Sequence, residues 1–243
     1  MKKEIGVVKS IYRYPVKSMA GESLASAILG WHGIEGDRRF AFRRVNDGSG
    51  IPWLNAGKLR EMILYQPFSA DSGNGSPIPT HVRTPGGKEL ELRGEDLRKE
   101  LSAAHKQEVE LMQLNNGMFD EAPLSLITTS TIKRIEKEIN FKLDVRRFRP
   151  NIFVETGDAL TFPEDEWLGK IIAFGGGDDA AAMSTAIRDV RCSMINLNPE
   201  SGESTPEILK AVVRINQICA GIYGTTFRTG SISVGQKIYL VDV

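Results

Sequence analysis

The cysteine at position 192 joins a nucleophilic side chain to an adjacent cation. Arg191 precedes Cys192, and the turn-forming sequence NPESG follows at 198–202. A nearby guanidinium favours thiolate over thiol, and the thiolate is the form that attacks electrophiles or binds soft metals. The alternative is a small buried side chain, because free cysteine is often interior. Cys219 has apolar neighbours and no adjacent cation, and we interpret it as such a core residue.

Two basic turns elsewhere in the chain suit an anionic ligand. One contains Lys17 and Ser18, and the other, at 146–151, carries three arginines and an amide, among them Arg149 and Asn151. A lysine, a hydroxyl and backbone N–H groups in one turn can hold a phosphate, and the arginine fork matches phosphate and carboxylate oxygens. The alternative for the turn at 17–18 is an ordinary solvated turn, and the alternative for the turn at 146–151 is a basic surface loop without a ligand. Together with the reactive cysteine, these turns predict a site for an anionic, metal-bearing ligand.

A pair of arginines begins a strand that we expect over residues 36–45. Alternation along a strand sends Arg38 and Arg39 to opposite faces, so at most one of them enters a given pocket. Asp37 lies beside them and offers a competing explanation, an ion pair.

Composition excludes several classes of protein. The chain has 243 residues, enough for one large domain or two small ones. Its 31 basic residues equal its 31 acidic residues, which argues against a dedicated nucleic-acid binder. The two cysteines and three histidines have neither the spacing of a zinc site nor the number for a disulfide framework. We see no signal peptide and no run of about 18 apolar residues, and therefore expect a soluble cytoplasmic protein.

Periodicity predicts many short strands and few helices. The expected strands cover 4–13, 36–45 and 108–114, with a hairpin over 80–93 that turns at 84–87, a terminal hairpin or paired strand over 231–241 that turns at Gly235, and a loop over 69–79. The expected helices cover 96–104, 128–139 and 205–216, the last with Thr205 as N-cap and Pro206 at its first position. This pattern favours an all-β or α+β barrel over a βαβ fold. A change in character near 115–117 predicts a boundary between residues 115 and 116.

The order of the motifs resembles the MOSC family, and more closely its branch with an N-terminal β-barrel region, which includes the mitochondrial amidoxime-reducing component and its bacterial relatives. The motifs are YPVKS at 14–18, GDRRF at 36–40, FRPNI at 148–152, RC at 191–192, NPESG at 198–202 and GSISVG at 230–235. The resemblance implies an α+β, predominantly β fold: a β-barrel MOSC domain at 116–243 packed against an N-terminal β-barrel-like region at 1–115, with a few short helices.

The resemblance also implies a molybdenum cofactor, and it assigns roles to residues. Cys192 would be the thiolate ligand of molybdenum. The residues expected to contact the pterin and its phosphate are Lys17, Ser18, Arg38, Arg149, Asn151 and Arg191, with Thr128 as a further polar contact. A soft thiolate suits a metal that is already bound by sulfur, and Arg191 would help to keep that thiolate ionised.

The expected function is an oxidoreductase that reduces N-hydroxylated or N-oxide compounds by oxygen-atom transfer. The sequence has no flavin, haem or iron–sulfur signature, so electrons would come from a separate redox protein. The alternative is a sulfur or molybdenum-cofactor carrier that uses Cys192 as a persulfide or docking thiolate. A third possibility is a family member that binds only an anion such as phosphate. We expect a small N-oxygenated substrate and neither a nucleic-acid nor a membrane partner.

Overall fold

The protein is predominantly β. The computed structural model describes residues 2–70, 76–157 and 161–241. Within these ranges the strands are β1 (Lys2–Arg13), β2 (Glu22–Leu24), β3 (Ser26–Gly30), β4 (Gly33–Ile34), β5 (Phe40–Arg44), β6 (Gln66–Phe68), β7 (His81–Arg83), β8 (Glu89–Glu91), β9 (Val109–Gln113), β10 (Leu124–Thr128), β11 (Ile152–Glu155), β12 (Ile171–Phe174), β13 (Ala182–Val190), β14 (Cys219–Arg228), β15 (Gly230–Ser233) and β16 (Lys237–Val241). The α-helices are α1 (Glu95–His105), α2 (Thr129–Ile139) and α3 (Glu207–Asn216).

Seven strands close into a barrel in the order β1-β11-β10-β14-β13-β12-β16 and back to β1. Only the β10–β11 pair is parallel among these neighbours. The long strand β1 closes the barrel because its first half pairs with β16 and its second half pairs with β11. Closure leaves no open edge within the barrel. The predicted barrel fold is confirmed.

Apolar side chains fill the barrel interior. Inward positions alternate with outward positions along each strand, as they must in a closed barrel. The buried residues include Val8, Ile11, Leu124, Leu126, Ile152, Val154, Ile172, Met183, Ile222 and Ile238. The barrel therefore has a packed core, and its functional groups must lie outside that core.

A second unit, which we call the outer layer, has its own core. It contains the β5–β9 ribbon, the β6-β7-β8 sheet and helix α1. Its buried side chains include Val16, Met19, Phe40, Phe42, Leu54, Met62, Val82, Leu92, Leu97, Leu101 and Val109. A third cluster joins α2 and α3 to Phe148 and Ile195, which anchors two loops of the site described below.

Most sequence-based predictions of individual elements agree with the structure. The strands expected at 4–13 and 108–114, the hairpin turning at 84–87, and the helices at 96–104 and 128–139 are present within one or two residues. The strand expected over 36–45 begins only at Phe40, because Arg38 adopts a left-handed backbone conformation with φ of 46°. Residues 71–75 of the loop expected over 69–79 lie outside the described residues.

Two predictions near the C-terminus need correction. The chain does turn at Gly235, where φ is +83°, but the flanking strands do not pair with each other. Strand β15 pairs with β3, whereas β16 pairs with β1 and β12, since closing the barrel gives β16 two other neighbours. Helix α3 begins at Glu207, and its cap residue is Pro206 instead of Thr205.

The boundary proposed between residues 115 and 116 stays a prediction. Strand β1, from the first part, lies in the barrel between β11 and β16, from the second part. The two parts of the chain therefore share one sheet.

Candidate functional site

A cavity of about 360 Å³ lies between the barrel and the outer layer. Its wall combines residues from loops of both units, and six of them were predicted from the sequence: Lys17, Ser18, Arg38, Arg149, Arg191 and Cys192. The fold thus brings together side chains that are up to 175 positions apart in the chain, since residues 17 and 192 both line the cavity.

Cys192 lies two residues beyond the end of β13 and is the N-cap residue of a short 3₁₀ turn, Ser193–Asn196. Strands β13 and β14 end their pairing at Val190 and Cys219, so the chain is free to turn into the cavity wall. The Cys192 side chain is exposed, which excludes the interpretation as a core residue. Cys219 is buried, as predicted.

Arg191 is buried and is directed away from solvent. Its Nε donates to the carbonyl oxygen of Ala220 at 2.7 Å and its Nη1 to that of Phe148 at 2.8 Å. Its Nη2 lies 2.6 Å from Oδ2 of Asp189, an ion pair without the alignment of a hydrogen bond. Gly221 makes room for this arrangement, because a Cβ there would lie 3.1 Å from the same Nη2 and 2.7 Å from a backbone oxygen. The guanidinium therefore joins loops together.

Lys17 interacts electrostatically with Cys192. Burial lowers the pKa of Lys17, while Asp120 and, more weakly, a Cys192 thiolate raise it. Its Nζ donates to the carbonyl oxygen of Phe119 at 2.7 Å. Ser18 follows with a left-handed backbone, φ 65°, which forms the tight turn beside the cavity. The predicted basic turn is thus present on the wall that contains the cysteine.

Arg38 is the centre of a buried polar network. Its Nη1 lies 2.5 Å from Oδ2 of Asp37, and its Nε lies 2.5 Å from Oδ2 of Asp120. Although burial opposes the charge, these two carboxylates raise the pKa of Arg38. Its Nη1 also donates to Oδ1 of Asn151 at 3.2 Å, and its Nη2 to the carbonyl oxygen of Arg149 at 3.0 Å.

Asn151 supports Arg38 from behind the wall. It is completely buried and is absent from the cavity lining. Its Oδ1 accepts from the backbone N–H of Ser125 at 3.1 Å, and its Nδ2 donates to the carbonyl oxygen of Tyr12 at 3.3 Å. Because these bonds fix the amide, Asn151 orients the Arg38 guanidinium without facing the cavity itself.

Arg149 ends the 3₁₀ turn Val145–Phe148 in a left-handed conformation, φ 50°. Its Nη1 donates to the carbonyl oxygen of Met19 at 2.6 Å, and its guanidinium lies 4.1 Å from the ring centroid of Tyr14. Burial lowers the pKa of Arg149 to about 10. Stacking on the ring holds the cation, as expected for a cation–π contact.

Thr128 lies elsewhere, at the N-terminus of α2. Its Oγ1 accepts from the backbone N–H of Thr131 at 3.2 Å and donates to Oε2 of Glu164 at 2.7 Å. The Glu164 carboxyl is fully buried and also accepts from Thr131 Oγ1 at 2.6 Å. An internal carboxyl group therefore occupies the position at the helix N-terminus where an anion would bind. The expected contact between Thr128 and the cofactor has no counterpart in this arrangement, because Thr128 does not line the cavity.

Two family models match the chain. The MOSC N-terminal beta barrel domain matches residues 5–122, and the MOSC domain matches residues 105–239. The chain belongs to the MOSC family. Its relatives include a molybdenum cofactor sulfurase of Drosophila pseudoobscura pseudoobscura, 25% identical over 194 residues, which cover 78% of this chain and 22% of that protein. The corresponding protein of Drosophila melanogaster is 29% identical over 111 residues, which cover 45% of this chain and 13% of that protein.

This MOSC protein thus spans about a fifth of the length of the curated relatives it matches. Its fold is similar to that of the YuaD protein from Bacillus subtilis, with a TM-score of 0.52, 15% sequence identity and coverage of 99% of this chain and 98% of that chain. In the part of the MOSC protein that the structure describes, no helix is long and apolar enough to cross a membrane.

Three further residues on the cavity wall were missed by the sequence analysis, Asp120, Asp189 and Tyr223, and a fourth, Arg147, was noted there only as one of the three arginines of the basic turn. Residues 189 and 191 are two apart at the end of β13, so their shared face follows from strand alternation and could have been predicted. Burial raises the pKa of Asp189 to about 7, although Arg191 lowers it in part. Burial also raises the pKa of Tyr223, with Asp189 and Asp120 adding to the effect.

The cavity can therefore bind an anion and expose one sulfur to it. Three of its cations, Lys17, Arg147 and Arg149, make no ion pair with a carboxylate among the described residues. A soft thiolate next to such cations suits a ligand that combines phosphate with a sulfur-bound metal.

Proposed function

We propose that this MOSC protein binds a molybdenum cofactor in the cavity and reduces N-hydroxylated or N-oxide compounds there. The observation that supports the proposal is the exposed Cys192 in a cavity whose wall carries cations without carboxylate partners. The molybdenum cofactor sulfurases among its relatives, by their name, act on the same cofactor. A metal-bearing pterin phosphate has the charge and the softness that this wall favours.

The residues fit the cofactor in two places. Lys17, Ser18 and Arg149 offer an ammonium, a hydroxyl and a guanidinium to a phosphate group. Cys192 offers a thiolate to the metal. Arg38 and Asn151 form the support between them, because the guanidinium is fixed by two carboxylates and one amide.

When bound, the cofactor would supply the oxygen-atom-transfer chemistry, in which two electrons and two protons convert the substrate's oxygen to water. The chain supplies orientation and protons. Asp189 lies on the cavity wall, and a pKa of about 7 lets its carboxyl group hold a proton near neutral pH. The proposed electron source is a separate redox protein, and the proposed compartment is the cytoplasm. The proposal involves neither a nucleic acid nor a membrane.

The first experiment offers benzamidoxime to the metal-loaded, chemically reduced protein. The substrate takes up two electrons and two protons and gives benzamidine and water. We expect benzamidine in proportion to bound molybdenum, measured by chromatography. Protein that carries stoichiometric molybdenum and forms no benzamidine under these conditions would contradict the proposed substrate class.

A second candidate is a carrier of sulfur or of the cofactor. The relatives named molybdenum cofactor sulfurases favour it, and so does the exposure of Cys192, because a persulfide must reach its acceptor. Cyanolysis distinguishes the two functions. A carrier releases thiocyanate from Cys192 and contains no molybdenum, whereas the proposed reductase contains molybdenum and retains it until Cys192 is replaced.

A further inference from the structure

We infer that Arg147 is an anion-binding residue that, with Lys17 and Arg149, holds the phosphate group of the ligand. This inference rests on the proposed function, since it deepens how the same cavity binds its cofactor. The resemblance to the family assigned no role to Arg147, and the argument depends on which of the cavity's cations already have a counter-ion.

The five cations of the wall fall into two groups. Arg38 is paired with Asp37 and Asp120, and Arg191 is paired with Asp189. These two guanidiniums are neutralised within the protein and serve the structure. A bound anion would have to compete with carboxylates at 2.5 to 2.6 Å for either of them.

The remaining three cations are not neutralised. Lys17, Arg147 and Arg149 each donate to a backbone carbonyl oxygen at 2.6 to 2.7 Å. Within the described ranges of the chain, none of the three makes an ion pair with a carboxylate. A carbonyl dipole orients a cation but leaves its charge unbalanced, and a buried unbalanced charge is costly.

Arg147 is the most buried of the three, with 9% of its surface exposed. Its Nη1 donates to the carbonyl oxygen of Asn196 at 2.7 Å. Burial lowers the pKa of Arg147, and the Asp144 carboxylate offsets that shift only in part. Arg147 lines both the main cavity and a second, smaller cavity of about 40 Å³ that Arg149 also lines. The Arg147 guanidinium, which makes no ion pair with a carboxylate among the described residues, therefore lies where it could bind a phosphate group of the ligand.

The neighbouring Arg146 provides a contrast within the same turn. Its Nε and Nη2 donate to the two oxygens of Asp144, and its Nη2 also donates to Oε1 of Glu200 at 2.6 Å. Asp144, the carboxylate that also interacts electrostatically with Arg147, is thus already bonded to Arg146. Two adjacent arginines differ in one respect that matters, the presence of a counter-ion.

The ligand class that suits this set is a phosphate monoester. A planar guanidinium donates two parallel N–H bonds to two phosphate oxygens, and a lysine adds a point charge. The five cations of the wall outnumber their three carboxylate partners, Asp37, Asp120 and Asp189, by two charges, which matches the two negative charges of a phosphate monoester.

The test uses the full chain without metal and inorganic phosphate as the probe, with affinity measured by calorimetry. We expect Arg147→Gln to weaken phosphate binding at least about tenfold, the effect of one charge-assisted hydrogen bond. Arg147→Lys keeps the positive charge but loses the planar guanidinium, so its affinity for phosphate should lie between those of the wild type and Arg147→Gln. Arg214→Gln is the control, because that exposed arginine pairs with Glu138 and does not line the cavity, and it should bind phosphate like the wild type.

Thermal unfolding in phosphate-free buffer separates binding from structure. Removing an unbalanced buried charge should leave the Tm of Arg147→Gln unchanged or raise it, whereas a structural arginine would lower it. Wild-type affinity for phosphate in Arg147→Gln, or absence of phosphate binding by the wild type, overturns the inference. If Arg147→Gln does not fold, wild-type affinity in Arg147→Lys overturns it instead. No molybdenum or substrate enters this experiment, so a failed benzamidoxime assay with intact phosphate binding would reject the proposed function alone.

Discussion

Two buried polar clusters of this MOSC protein contain groups that could bind an anion, but only one of them is open. At the N-terminus of α2, the carboxyl of Glu164 accepts hydrogen bonds from Thr128 and Thr131. At the cavity, Lys17, Arg147 and Arg149 have only carbonyl oxygens as hydrogen-bond partners among the described residues. The donors of the first cluster are therefore bonded to an internal carboxyl group, whereas these three cations are not.

The difference shows that residue type alone does not define a ligand site. Threonines at a helix N-terminus have the donors that a phosphate needs, but an internal carboxyl group has already used them. The balance between donors and acceptors identifies the cavity as the open site. Asn151 belongs to neither cluster as a ligand group, because its amide is bonded to Arg38, Ser125 and Tyr12 and does not line the cavity.

The largest expected effect comes from the sulfur of the open cluster. We expect Cys192→Ala to remove all bound molybdenum, because the thiolate is the proposed metal ligand and alanine has no donor atom. The measurement is elemental analysis of molybdenum and phosphorus in protein purified from cells that make the cofactor. Phosphorus should fall less than molybdenum, since the cations remain.

Cys219→Ala is the matched control for this substitution. Cys219 is buried on β14 and does not line the cavity. Its variant should retain molybdenum at the wild-type ratio, with a modest loss of stability from the space left by the sulfur. If Cys192→Ala and Cys219→Ala contained equal amounts of molybdenum, the proposal that Cys192 binds the metal would be wrong.

A smaller effect is expected from the closed cluster. Thr128→Val keeps the shape of the side chain but removes a hydroxyl that bonds Glu164 and caps α2. We expect the free energy of unfolding to fall by about 1–3 kcal/mol, since a buried acceptor loses its donor. Molybdenum per folded protein should stay at the wild-type value.

Chemical denaturation measures the stability, and elemental analysis of the same preparation measures the metal. A variant that keeps its stability and loses molybdenum would move Thr128 into the open cluster. The resemblance to the family would then have been the better guide to this residue.

Short-range sequence patterns predicted most of the fold. The β-branched run at 4–13, the turn at 84–87 and the helical spacing at 128–139 each correspond to an observed element. Partners in the barrel were not predictable in the same way, because strand pairing depends on contacts distant in sequence. Strands β15 and β16 illustrate this. The turn between them at Gly235 depends on local sequence, whereas their partners β1, β3 and β12 are distant in sequence.

The site was predictable to the extent that motifs carry it. The basic turns and the cysteine were identified from residue types, and the cavity brings six of these residues together. Ion pairing was not predictable. Arg191 precedes Cys192 in sequence, but its guanidinium contacts Ala220, Phe148 and Asp189, while Lys17, 175 positions away, interacts electrostatically with Cys192. The position of a long side chain in the sequence therefore does not predict which groups its charged end contacts.

The smallest expected effect concerns two buried carboxyl groups, Glu164 in the closed cluster and Asp189 in the open one. Burial raises the pKa of both, that of Asp189 to about 7. A group whose pKa is higher in the folded state than in the unfolded state stabilises the fold most below its unfolded value, and that contribution is lost as pH rises through the folded value. Asp189 should therefore cost the wild type stability between about pH 4 and about pH 7.

Replacing Asp189 with asparagine tests this directly. Because asparagine cannot ionise, the decline in stability of the variant between about pH 5 and about pH 7.5 should be smaller than that of the wild type by about 1–3 kcal/mol. Denaturant unfolding at the two pH values gives the difference. Asp178→Asn is the control, because Lys2 lowers the pKa of that exposed carboxylate and it stays ionised over this range. A decline in Asp189→Asn equal to that of the control would mean that Asp189 is ionised throughout, and that the open cluster contains a permanent ion pair where we expect a group able to hold a proton.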